Sequence, residues 1–190
     1  MEFLTTLWLP ILLAAFFVFG VSSVLHMVLS LHKSDYRKLP NEASLLNEMR
    51  NGGLTPGSYM FPGVDSKEDC TPPEMAEKYA KGPVGQILIR ANNSCNMGLS
   101  LIQWFVLSIV ISLLTAYLAW ITLGAGADSS ILFRVVFTTA WMAYGFGSIQ
   151  ESIWKGNSWK STSVYLFDAA LYALATASTF QQFWPPNLLG

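Results

Sequence analysis

Four long apolar stretches divide this chain of 190 residues, and nearly all of its lysines and arginines fall on one side of them. About 20 predominantly apolar residues suffice to carry a helix across ~30 Å of hydrocarbon. The first stretch runs from Phe3 to Leu31, with His26 as its only titratable side chain. The second runs from about Met97 to Leu123. The third, from about Ile131 to Ile153, has Arg134 near its start and Glu151 near its end. The fourth, from about Ser161 to Trp184, contains Asp168. Charged residues make up only 12% of the chain and the mean hydropathy is +0.39, whereas a soluble domain carries about a quarter charged residues. In hydrocarbon, backbone groups must find partners inside their own segment, so each span is expected to be helical.

The fold expectation is therefore an all-α polytopic membrane protein, residues 1–190 forming one membrane domain. Four transmembrane helices are joined by short turns, except for a structured loop, 32–96, containing two short helices between the first and second spans. The first stretch does not read as a cleaved signal peptide. Glu2 stands where such a peptide has Lys or Arg, and the apolar run is too long. Pro10 is expected in the first turns of its helix, where a missing N–H costs little.

The basic residues give a direction. Lys33, Arg37, Lys38, Arg50, Lys67, Lys78, Lys81 and Arg90 lie between spans one and two, and Lys155 and Lys160 between spans three and four. Only Arg134 lies near the opposite side, where it is expected to snorkel outward toward Asp128. The positive-inside rule places both basic loops in the cytoplasm, with the N-terminus and the Pro185–Gly190 tail outside, in a plasma or inner membrane. Cys70 and Cys95 would then be free thiols, and their spacing fits no metal motif. Asn92-Asn93-Ser94 is a formal glycosylation sequon, and a weak one so close to a span.

The long loop carries balanced charge, so it is not a polybasic lipid-binding segment. Asn41 is placed to cap a helix through Arg50, closed by Gly52-Gly53. Thr71-Pro72-Pro73-Glu74 reads as a capping box opening a second helix to Lys81, ended by Gly82-Pro83. Gly53 to Gly63, rich in Gly, Pro and aromatics, is expected to be irregular. The whole reads as a small cap on the cytoplasmic helix ends, either an interfacial collar or a gate or docking surface.

With a direction assigned, depth becomes readable at ~1.5 Å per helical residue. Asp168 lies ~10 Å below the cytoplasmic edge of its span. At similar depth the other spans offer His26 with Ser22 and Ser23, Gln103 with Trp104, and Tyr144, Ser148 and Glu151. The ligand- or pore-lining candidates are Asp168, His26, Tyr144, Ser148, Gln103, Glu151 and Tyr172. A carboxylate inside a span costs ~2.5–3.5 kcal/mol and turns toward a bundle interior or a wet cavity. Asp168 reads either as a structural acceptor for Tyr144 or Ser148, as a cavity-lining group, or as a catalytic one. His26 reads as a packing histidine or a proton relay, and Glu151 as the partner of Lys155 one turn on. Ala169, Ala173 and Ala177 form a small-residue ridge matched to Ala143, Gly145 and Gly147, which predicts close packing of spans three and four.

No phosphate loop, nucleophile elbow or HExxH motif is present, and His26 and His32 do not by spacing suggest a metal or haem site. No cofactor, metal or nucleic-acid partner is expected. Four helices enclose little volume, so the bilayer aside, the expected partners are further copies or a larger membrane complex. The functional expectation is a small channel or transporter-like protein with a polar vestibule near the cytoplasmic side. Its alternatives are a non-catalytic accessory or scaffolding subunit, and a lipid-acting membrane enzyme.

Overall fold

The computed structural model describes residues 2–29, 31–64 and 72–186, and the chain is predominantly helical. In order, its elements are α1 (Glu2–Ser23), α2 (Glu42–Asn51), β1 (Gly57–Phe61), α3 (Pro72–Lys81), β2 (Gly85–Ile89), α4 (Met97–Leu123), α5 (Ser129–Gly145), α6 (Gly147–Lys155) and α7 (Trp159–Phe183). A π-helical turn, Val24–Val28, and a 3-10 turn, Leu31–Ser34, follow α1. Contacts divide the chain into a helical unit, from 1–36 and 97–190, and a smaller unit, 37–96.

In the helical unit, Phe3–Val28 and Met97–Leu123 are long and apolar enough to cross a membrane. The other two stretches behave differently. The third does not form one helix from 131 to 153 but breaks at Phe146 into α5 and α6, of 17 and 9 residues. Glycines flank the break, and glycine weakens a helix interior. Asp128 opens α5: one carboxylate oxygen accepts from the N–H groups of Ser130 and Ile131, each at 3.0 Å. The residue expected to draw Arg134 is thus an N-cap. Gly156 closes α6 with φ +71°, its N–H donating to the Glu151 carbonyl, as a helix C-cap glycine does. Ser158 then caps α7.

Pro10 lies more than two turns into α1 and is buried. That is deeper than the first-turn position expected, so one helical hydrogen bond is forgone. Around it, Leu7, Ile11 and Ala14 of α1 pack with Ala116 and Ala119 of α4, Leu132 and Val136 of α5, and Ala177 and Phe180 of α7. The corner between α4 and α5 is tied to the end of α7, where Trp184 Nε1 donates to the Gly124 carbonyl at 3.0 Å and the Gly126 N–H to the Pro185 carbonyl at 2.9 Å.

The close approach of α5 and α7 is as the small residues predict, but narrower. Ala169, Ala173 and Ala177 are buried. Of their supposed partners only Gly145 enters the contact, while Ala143 and Gly147 are exposed. A Cβ on Gly145 would stand 2.9 Å from Ala169 Cβ. Toward the far end of the helices a second, aromatic cluster forms from Val18, Leu25 and Tyr172 with Trp104 and Tyr144 against it.

In the smaller unit both short helices occur where expected. Asn41 does not cap the first of them. It sits in the left-handed region at φ 52° and its side chain makes no cap bond. The capping-box Thr71 lies outside the described residues, as do Lys67 and Cys70. Cys95 is a free, exposed thiol. The span 53–63 is not irregular throughout, because Gly57–Phe61 pairs antiparallel with Gly85–Ile89, Gly57 opposite Ile89 and Phe61 opposite Gly85. The β-branched and aromatic side chains at Tyr59, Phe61, Ile87 and Ile89 suit a strand. The turn residues around them hid that signal. The missing side chain at Gly85 leaves room for the Phe61 ring, which a Cβ there would meet at 2.9 Å.

Candidate binding site at a histidine–carboxylate cluster

The site begins where α1 loses its regular bonding. The hydroxyls of Ser22 and Ser23 both donate back to the Phe19 carbonyl, at 3.0 and 2.8 Å, and such back-bonding loosens a helix. The next turn is π-helical and is closed by the Leu29 N–H on the Val24 carbonyl at 3.1 Å. Leu29 itself is extended. The 3-10 turn that follows lays His32 on His26, ring centroids 4.3 Å apart and 11° from parallel.

His32 is held from both sides. Its Nδ1 lies 2.7 Å from Asp35 Oδ2, and its Nε2 lies 2.7 Å from Asp168 Oδ2. Asp35 in turn accepts a hydrogen bond from the Ser161 hydroxyl. The Tyr165 ring is tilted against His32 at 4.9 Å between centroids. Ser161, Tyr165 and Asp168 follow helical spacing on α7, so a single helix face supplies all three.

Two carboxylates facing one imidazole set its charge. Burial pulls the His32 pKa down, but the hydrogen bonds to Asp35 and Asp168 and their charges outweigh it. The ring is left protonating above its ordinary value. At Asp35 burial pushes the carboxyl up, and the hydrogen bonds from Ser161 and His32 outweigh that and hold it low. Asp168 is 1% exposed. A carboxylate so placed is tolerable only when paired, and His32 is the pairing group.

Asp168 and His26 also line a cavity of about 550 Å³ together with Ser22, Ser23, Met27, Met97, Leu101, Trp104, Tyr144, Tyr165 and Tyr172. Its walls are mainly apolar and aromatic. Trp104 Nε1 donates to Ser22 Oγ at 2.8 Å and so fastens α4 to α1 at this level. Among the lining residues, Asp168 Oδ1 and Tyr172 Oη are buried without a partner among the described residues, and Tyr144 Oη, buried as well, has the Ser108 side chain beside it. Buried polar atoms are nearly always satisfied by protein, water or ligand, so these are groups that a ligand or water would satisfy. The groups present can donate, accept and hold a proton. No activated nucleophile is among them.

The sequence candidates separate three ways. Asp168, His26, Tyr144 and Tyr172 meet at the cavity within a single chain. Ser148 and Glu151 line a different, smaller groove beside Asn157 and Ser161. Ser148 Oγ donates to the Gly145 carbonyl at 2.6 Å, and Glu151 pairs with Lys155 at 2.6 Å. Gln103 is exposed and absent from either lining. The structural partner expected for Asp168 was Tyr144 or Ser148, whereas the structure pairs it with His32.

His32 and Asp35 are not among the sequence candidates, and His26 and His32, whose spacing suggests no metal or haem site, stack against each other. The one signal was compositional: both histidines of the chain and an acid fall within ten residues at the end of the first span. Compared with known protein families, characterised proteins and solved structures, the chain matches none.

Proposed function

We propose that the chain is a four-span membrane protein whose helices α1, α4, α5 and α7 hold a binding cavity for an amphiphile, an apolar chain carrying an alcohol or amine head. One observation carries the reading. Asp168 and Tyr172, each with a buried and unpartnered side-chain oxygen, line with Tyr144 a cavity that Met27, Met97, Leu101 and Trp104 also wall. A volume of about 550 Å³ lies within the usual range for small-molecule sites. The carboxylates of Asp35 and Asp168 outnumber the one imidazolium between them, which favours a head that donates hydrogen bonds.

The pairing of Asp168 with His32 supports α7 as a span despite its carboxylate, because a partnered charge is cheaper in the membrane than a lone one. The 25 residues of α7 extend about 37 Å. Basic residues in 32–96 and at Lys155 and Lys160 support a cytoplasmic placement of those loops, with the termini outside. Passage of the amphiphile through the cavity would make the protein a small transporter, alone or in an oligomer.

The test uses the full chain in vesicles with a long-chain alcohol carrying a photoreactive diazirine. Adducts concentrated on Met27, Trp104, Tyr144 and Tyr172, and lost when Leu101→Trp fills the cavity, are the expected result. Adducts spread evenly over exposed helix faces, unchanged by Leu101→Trp, would refute the reading.

A further inference from the structure

We propose that His26, His32 and Asp168 form a binding site for a divalent first-row transition ion. One nitrogen or oxygen from each residue can be chosen so that all three lie within 4.8 Å of one another. This goes beyond amphiphile binding and does not depend on it, since an ion can sit here whether or not a chain occupies the cavity.

The tautomers carry the argument. His26 Nδ1 lies 3.1 Å from the Ser22 carbonyl oxygen, and His32 Nδ1 lies 2.7 Å from Asp35 Oδ2. A carbonyl and a carboxylate can only accept, so each Nδ1 is the protonated nitrogen. Once His32 gives up its second proton, a lone pair is left on the other nitrogen of each ring. Metal-binding histidines are held in this way, by an outer carbonyl or carboxylate on the second nitrogen. His32 Nε2 then faces Asp168 Oδ2 at 2.7 Å, an acceptor against an acceptor. The contact requires a cation between them, either a proton or a metal ion.

Charge and ligand type choose between ions. With both rings neutral, Asp35 and Asp168 bring two negative charges to this cluster. A proton cancels one, and a divalent ion cancels both. Two imidazole nitrogens and one carboxylate suit zinc or iron(II), whereas calcium and magnesium take oxygen ligands. Bonds of ~2.0–2.2 Å in a tetrahedral set place ligand atoms about 3.3 Å apart. The His32–Asp168 contact would therefore open by about half an ångström. His26 is exposed, on the irregular turn, and its ring is the one that would turn out of the stack with His32.

The experiment uses the full chain in detergent, purified without a histidine tag, with Cys70 and Cys95 changed to serine so that thiols do not compete. The protein is stripped with chelator and titrated with Co²⁺, whose visible absorption reports nitrogen and oxygen coordination. One Co²⁺ per chain is expected, displaced by Zn²⁺. His26→Gln should weaken it by tenfold or more, and Asp35→Asn, which leaves the three ligands, by about tenfold. If His32→Gln or Asp168→Asn fails to fold, His26→Gln decides, because that side chain is exposed and its loss spares the core. No stoichiometric Co²⁺ binding, or binding unchanged in His26→Gln, overturns the proposal. Photolabelling of the chelated protein separates the two readings. Labelling without Co²⁺ binding overturns the ion site alone, and Co²⁺ binding without labelling leaves the ion site standing.

Discussion

His26 and His32 stack with their ring centroids 4.3 Å apart and their planes 11° from parallel. In a continuous α-helix six residues would separate them by about 9 Å along the axis and set them on different faces. Their contact is therefore a product of the π-helical turn at Val24–Val28 and the extended Leu29 after it. The same irregular turn delivers His32 to Asp168, 136 residues away in sequence. Single-turn π segments inside helices occur frequently at functional sites. Here one supplies the geometry that regular periodicity would forbid.

The His32–Asp168 pair should show strong coupling. Asp168→Asn preserves shape but removes the charge opposite a ring held also by Asp35. Breaking a buried pair by changing one partner costs about 3–5 kcal/mol, because the other charge is left uncompensated. Thermal unfolding of the chelated protein, followed by tryptophan fluorescence, should show a clear fall in Tm. Adding His32→Gln should cost much less than the sum of the single changes, by at least ~1 kcal/mol. Strict additivity would show that the two side chains do not act as a pair.

The residues that regular helices carry were legible in the sequence. Met97–Leu123 is the second apolar stretch with its bounds unchanged, and Asp168 with Tyr172 follows from helical spacing. What could not be read was every feature made by an interruption. The break at Phe146 separates Ser148 and Glu151 from the cavity. The turn after Ser23 brings His32 to Asp168, with Asp35 on the other side of its ring. Depth alone points to Gln103, and depth does not fix the side of a helix that a residue occupies. The strand pairing of 57–61 with 85–89 was hidden for a related reason, since a register is a non-local property.

Gly145 tests the α5–α7 contact by steric means. Its added Cβ would meet Ala169 Cβ at 2.9 Å and Leu166 Cδ2 at 3.1 Å. A methyl Cβ on a buried helix cannot swing aside, so the helices must part. Gly145→Ala should destabilise by about 1–3 kcal/mol. Ala169→Gly in the same chain should recover part of that loss by vacating the space. A double variant no more stable than Gly145→Ala would mean that something other than this contact limits the approach.

Trp104 and Ser22 provide a second measure of how α1 is held to α4. Trp104→Phe retains most of the ring and removes the Nε1–H that donates to Ser22 Oγ at 2.8 Å. The expected loss is about 1 kcal/mol, typical of one intramolecular hydrogen bond. Ser22→Ala should cost a similar amount alone and little when added to Trp104→Phe. Trp104 also walls the cavity, so diazirine labelling near it should shift in Trp104→Phe even where stability changes little.

The irregular turn can be tested by length instead of by side chain. Val28 is 74% exposed, so Val28→Ala should leave Tm nearly unchanged. Deleting Val28 removes the same side chain but also one residue from the π-helical turn. The shortened segment can bond as ordinary α-helix, which turns each later residue by about 100° and draws it back by about 1.5 Å. His32 then no longer reaches Asp168 Oδ2 and Asp35 together. The deletion should lower Tm at least as far as Asp168→Asn, and adding Asp168→Asn to it should have little further effect. Because the point change controls for the lost side chain, any difference between the two variants belongs to the turn itself. Equal stability of Val28→Ala and the deletion would mean that the extra residue plays no part in bringing the histidines to the carboxylate.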